Sequence, residues 1–132
     1  MKSKTIDDIF LNISHFLDHF MMLIFAKAAF DASKYFGLSY DEIIFYATFG
    51  FIFFGAFAPV ASFLADKYSR SILMVIFHFG IGISAIAAGF SYNLFSLTVA
   101  LSIIGLFAAI YHPVGIAMLL SKNEKTGLRL GI

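Results

Sequence analysis

Pro59-Val60-Ala61-Ser62-Phe63-Leu64-Ala65-Asp66-Lys67-Tyr68-Ser69-Arg70-Ser71-Ile72 joins two long apolar runs through one short charged turn. The apolar part ends at Ala65; Asp66, Lys67 and Arg70 then arrive together, and apolar sequence resumes at Ile72. This pattern reads as a tight cytoplasmic hairpin between two membrane-crossing helices. The rest of the chain is arranged around it.

Composition points the same way. Of 132 residues, 61% are hydrophobic and 13% charged, and the mean hydropathy is +0.91, well outside the balance of a soluble domain. A membrane protein is therefore expected. Cysteine is absent, which rules out a disulfide framework, a thiol catalyst and a cysteine metal site. No phosphate-cradling glycine loop and no basic patch occur, so the sequence predicts neither a cofactor nor a nucleic-acid partner, and no enzyme.

Lys2 and Lys4 precede an apolar stretch, and Ala26-Lys27-Ala28 has the form of a signal cleavage site. Asn12, His15, Asp18 and His19 interrupt that stretch, however, so it reads as a mature helix. Crossing a core of about 30 Å takes about 20 residues at about 1.5 Å each. Four segments are long enough: about 9–30, 43–65, 72–90 and 94–120. They lack the alternation of barrel strands, and the predicted fold is an all-α membrane protein with four transmembrane helices in one domain.

Basic residues set the expected orientation. Lys2, Lys4, Lys67, Arg70, Lys122, Lys125 and Arg129 fall on one side, whereas only Lys27 and Lys34 fall on the other. That asymmetry predicts both termini in the cytoplasm, in a multi-pass protein of the cytoplasmic membrane. Tyr35, Tyr40, Tyr68 and Tyr92 stand at expected helix ends, where a ring with a polar tip suits the interface. Small residues four apart (Ala58 and Ser62, Gly80 and Ser84, Ala85 and Gly89, Gly105 and Ala109) predict shallow strips where helices approach closely. Pro59 and Pro113 are candidate kinks, and Pro113 also frees the carbonyl of Ala109.

Ionisable residues concentrate in the first and fourth spans. At about 100° per residue, Asn12, His15, Asp18 and His19 share an arc of about 120°. Such groups in a bilayer usually face a cavity or a partner. His15 and His19 near the cytoplasmic end are also within reach of interfacial water, but Asp18, with its short side chain, cannot snorkel as well. In the fourth span Leu101, Gly105, Ala108 and His112 share a face, and Tyr111-His112-Pro113-Val114-Gly115 interrupts the apolar run. His112 suits a proton relay or an anion contact, and equally a hydrogen bond to a carbonyl near Pro113. His78 reads as a packed or interfacial residue. His15 and His19 at i and i+4 also fit a metal pair that a distant His112 would complete. Asp18 stands where the inverted zinc-protease motif has Glu, nothing in the spacing fixes a third ligand, and the sequence assigns no metal.

The hairpin resembles the loop signature of the major facilitator superfamily: a small residue, Asp four positions on, a basic residue, Gly, and further basic residues. Ser62, Asp66, Lys67, Ser69 and Arg70 take those places, with serines for both glycines and Ser71 at the last basic position. Phe20-Met21-Met22-Leu23-Ile24-Phe25 and Gly105-Leu106-Phe107-Ala108-Ala109-Ile110-Tyr111-His112-Pro113-Val114-Gly115 extend the likeness to the first four helices of a bacterial transporter of this type. The Tyr-His-Pro element is similar to that of fosmidomycin-resistance-type efflux proteins.

The resemblance implies helices one and four lining a central cavity, and a solute and proton pathway through Asn12, His15, Asp18, His19, Tyr111 and His112. It implies a conformational latch of Asp66, Lys67 and Arg70, in which the acid caps a neighbouring helix end and forms ion pairs that differ between access states. It also implies twelve helices in a full-length member. Many proton-driven exporters carry an Arg where this chain has Leu101. Any proton would instead travel on His15, Asp18, His19 or His112.

The expected function is secondary active transport of a small solute by alternating access, as proton-coupled efflux, with the lipid bilayer and the solute as partners. Leu128, Leu130 and Ile132 look like the start of another apolar element, so the chain reads as the front part of a longer transporter or the product of a truncated frame. Two alternatives are a four-helix exporter acting as a homodimer, against which a long connection from Asp31 to Glu42 counts, and a fragment that only packs against other helices.

Overall fold

A computed structural model describes residues 2–121, with side chains from Asp7 onward. The basic residues Lys2, Lys4, Lys122, Lys125 and Arg129, and the apolar positions Leu128, Leu130 and Ile132, carry expectations that lie outside the described side chains. Every described element is a helix: α1 (Lys2–Phe36), α2 (Tyr40–Lys67), α3 (Arg70–Gly89), α4 (Leu94–Ala108) and α5 (Tyr111–Ser121). They make four spans long and apolar enough to cross a membrane, Asp7–Phe36, Tyr40–Lys67, Arg70–Gly89 and Leu94–Ser121. The molecule is a multi-pass membrane protein. Phe79, Ile83, Phe90 and Phe95, all more than 60% exposed, present the kind of surface that lipid covers.

The first connection differs from the sequence reading. In place of a long link from Asp31 to Glu42, α1 runs on to Phe36 and α2 starts at Tyr40, so the length argument against a dimeric exporter falls away. Polar residues do not end a helix; a cap does. Gly37 takes φ +67°, a conformation that costs other residues energy, and Leu38 N–H donates to the Ser33 carbonyl at 3.1 Å. Ser39 then opens α2 as half of a capping box: its N–H donates to Glu42 Oε2 at 2.8 Å, and Glu42 N–H donates to Ser39 Oγ at 3.4 Å. Tyr40 binds the two helices together, stacking on Phe30 at 4.4 Å between centroids and donating its hydroxyl to the Ala26 carbonyl at 3.0 Å.

The α2–α3 hairpin is as tight as expected, with only Tyr68 and Ser69 between the helices. Asp66 and Lys67 are exposed, and Lys67 Nζ stands 4.3 Å over the Phe63 ring. Among the described residues no ion pair joins Asp66 or Arg70, and Ser69 gives α3 no side-chain cap. Asn93 caps α4, its Oδ1 accepting from Ser96 N–H at 2.7 Å.

The fourth span is the most buried of the four and is broken. Pro113 offers no N–H to the Ala109 carbonyl, and its ring crowds that carbonyl. The chain tightens there: Ile110 N–H reaches back only three residues, to the Phe107 carbonyl at 3.1 Å, and helix resumes at Tyr111. Pro59, by contrast, sits inside an unbroken α2.

Lipid tails are as apolar as the helix surfaces, so packing, rather than removal from water, must hold the spans together. The small-residue strips contribute unequally. Gly105 meets the backbone of Gly50, so α2 and α4 touch main chain to main chain, and Gly80 makes room for the ring of Phe107. Ala109 and Ser84 are buried with them. Ser62 and Gly89 are exposed, so the Ala58–Ser62 and Ala85–Gly89 strips face away from these contacts. The main core gathers Leu11, Ala61, Leu73, Phe77, Ala108 and Val114 where α5 meets α1, α2 and α3.

Candidate functional site

The break in the fourth span sets the first turn of α5 against the middle of α1. Tyr111 is 2% exposed, and its hydroxyl donates to the Leu11 carbonyl at 2.9 Å. Its ring stacks on His15 with centroids 5.2 Å apart and planes 13° apart. Gly115, one turn on, leaves the space this ring occupies. One hydrogen bond thus anchors α5 to α1, and one stack orients His15. Tyr111→Phe is expected to cost about 1 kcal/mol, read as a lower melting temperature of the purified protein in detergent with the fold retained. An unchanged melt would show that the bond holds nothing.

His112 follows Tyr111 and points into the polar arc of α1. Its Nε2 lies 3.4 Å from Asp18 Oδ2, and its ring stands edge-on to those of His19, His15 and Phe54 at 5.5, 5.8 and 5.8 Å. His15 Nε2 and His19 Nε2 are 3.0 Å apart. Asp18 is 1% exposed, and neither carboxylate oxygen has a hydrogen-bond partner.

The four α1 residues named from the sequence do not play equal parts. Along the arc, Asp18 faces the packed interior, His15 and His19 stand at the rim, and Asn12 is exposed beyond them. The structure therefore brings Asp18, His15, His19, Tyr111 and His112 together, and leaves Asn12 on the same flank at the outer edge. Asp66, Lys67 and Arg70 belong to the α2–α3 turn, apart from this group. Leu101 is packed with Leu97 and Ile104 in a separate apolar cluster. An apolar cavity of about 700 Å³, lined among others by Met21, Phe25, Tyr35 and Leu97, contains none of the clustered histidines.

A second polar contact escaped the sequence reading. Ser14 is fully buried; its hydroxyl donates to the Phe10 carbonyl at 2.8 Å and lies 3.1 Å from His78 Nε2, while His78 Nδ1 lies 2.7 Å from the Met74 carbonyl. His78 is therefore a packed residue, as expected, that links α1 to α3. The available signal was spacing: Ser14 stands four residues before Asp18 and next to it on the helix surface.

No curated protein and no solved structure matches the chain. A family model described as Major Facilitator Superfamily matches residues 9–132. With four apolar spans and a residue match that runs through all of them, the chain belongs to the major facilitator superfamily of transporters.

Proposed function

We propose that this chain carries a small solute across the membrane by alternating access, with the polar junction of α1 and α5 as part of the path. One observation carries the reading: Asp18, His15 and His19 meet His112 where the fourth span is interrupted. Ionisable groups within a bilayer are costly unless they face one another or water. Broken spans are where transporters expose binding groups that a regular helix would hide.

The path runs past Asn12, His15, Asp18, His19, Tyr111 and His112. Asp66, Lys67 and Arg70 act at the α2–α3 turn as a latch whose ion pairs change with the access state. The placement of basic residues supports cytoplasmic termini in the cytoplasmic membrane. The likeness of Tyr111-His112-Pro113 to fosmidomycin-resistance-type proteins supports efflux.

The natural lack of cysteine makes a direct test simple. His19 and Phe20 are sequence neighbours at nearly one depth, with Phe20 turned by about 100°. In membrane vesicles His19→Cys is expected to react with a membrane-impermeant methanethiosulfonate at least about ten times faster than Phe20→Cys, because a thiolate forms in water and not in lipid. Equal rates would sink the water-lined path.

A further inference from the structure

We infer that His15, His19, His112 and Asp18 form a binding site for a divalent first-row transition-metal cation. One ring nitrogen from each histidine lies within 4.8 Å of the other two. Bonds of about 2.0 Å at tetrahedral angles place neighbouring ligand atoms about 3.3 Å apart. Two short contacts between candidate ligand atoms are 3.0 Å, from His15 Nε2 to His19 Nε2, and 3.4 Å, from His112 Nε2 to Asp18 Oδ2. Both lie near that value, whereas the three histidine nitrogens as a set spread to within 4.8 Å and Asp18 touches the set through His112, so His112 and Asp18 must draw in toward the α1 pair to complete the shell.

Chemistry and charge agree with the distances. His15 and His19 at i and i+4 form a chelating pair on one helix, and His112 arrives from a second helix because the span breaks before it. Asp18 supplies the oxygen and the one negative charge. Its carboxylate is almost wholly buried with both oxygens unsatisfied, an arrangement a bound cation would complete. The Tyr111 ring, held by its bond to the Leu11 carbonyl, stacks on His15 and fixes the plane of that ligand. Three imidazoles and one carboxylate favour Zn²⁺, Co²⁺, Ni²⁺ or Cu²⁺ over Mg²⁺ and Ca²⁺, which prefer oxygen shells.

The site rests on the same α1–α5 junction proposed for solute passage, but binding needs no transport. The experiment uses the purified chain in detergent, freed of any polyhistidine tag and titrated with CoCl₂. One equivalent is expected to bring up the intense visible bands of four-coordinate Co²⁺, which Zn²⁺ removes and Mg²⁺ does not. His112→Ala should weaken binding about 100-fold or more. His19→Ala, at an exposed position where folding is not at stake, should do the same. His78→Gln removes a histidine outside the group and should leave the affinity unchanged. Absence of the bands, or bands that persist in both His112→Ala and His19→Ala, would overturn the site. Metal binding in a chain whose His19→Cys variant reacts no faster than Phe20→Cys would keep this inference and remove only the transport path.

Discussion

Asp18→Asn is expected to melt at a higher temperature than the parent protein, and the cation site proposed at His15, His19 and His112 is expected to lose affinity. The carboxylate is 1% exposed and has no hydrogen-bond partner, and its approach to His112, at 3.4 Å, is a contact rather than a well-formed bond. Removing an ion from water costs several kcal/mol unless its partners compensate, and here few are in place. A neutral amide of nearly the same shape escapes most of that cost but buries unpaired N–H groups of its own, so the net gain should be about 1 kcal/mol. Groups kept at a cost to stability are typical of functional sites. Thermal melting in detergent decides the matter. A lower melting temperature for Asp18→Asn would mean that the carboxylate is a structural ion partner of His112, and the α1–α5 junction would lose its best reason to be called a site.

Gly105→Ala should have the opposite and larger effect on folding. A methyl group at Gly105 would run into the Gly50 carbonyl, which belongs to the backbone of α2 and cannot swing aside as a side chain can. Gly50 has little room to retreat, since its own Cβ position is 2.9 Å from the Leu101 carbonyl oxygen. Separating the two helices would forfeit the dispersion contacts that hold spans together in lipid. A loss of about 3 kcal/mol or more is expected, at or beyond the upper end for overpacking, with poor yield in membranes. Gly82→Ala is the control. Nothing stands near that position, so it should be neutral or gain up to about 1 kcal/mol from helix propensity. Equal behaviour of the two variants would show that α2 and α4 do not meet at Gly105.

The sequence revealed the spans more readily than their neighbours. Long apolar runs and the turn at Asp66 suffice to place α2 and α3, because a bilayer demands length and little else. The end of α1 was missed because Asp31 and Lys34 look like a loop, while the signals that stop the helix are Gly37 and the Ser39–Glu42 box. Pairwise contacts were harder to read. In a soluble helix the apolar face marks the buried side, but a lipid-facing helix is apolar all round, and that mark disappears. Gly50 thus gave no hint that it would meet Gly105, and the spacing of Ser14 and Asp18 marks a polar side of α1 without naming His78 as the partner. Charged and ionisable residues were legible because lipid penalises them. The arc of α1 pointed to Asp18, His15 and His19, but only the fold brings His112 to them.

The joint at Tyr40 has a mechanical consequence. With its hydroxyl on the Ala26 carbonyl and its ring on Phe30, beside the three-residue link at Gly37, α1 is pinned to α2 at one end. Any tilt about that pivot would sweep an arc that grows with distance from it. His15 lies eleven residues from Ala26, about 16 Å along the axis, so a swing of about 10° carries it about 3 Å. The Tyr111–Leu11 and Ser14–His78 contacts sit at the far end of that lever, so these two polar bonds are what hold the histidines of α1 gathered against His112.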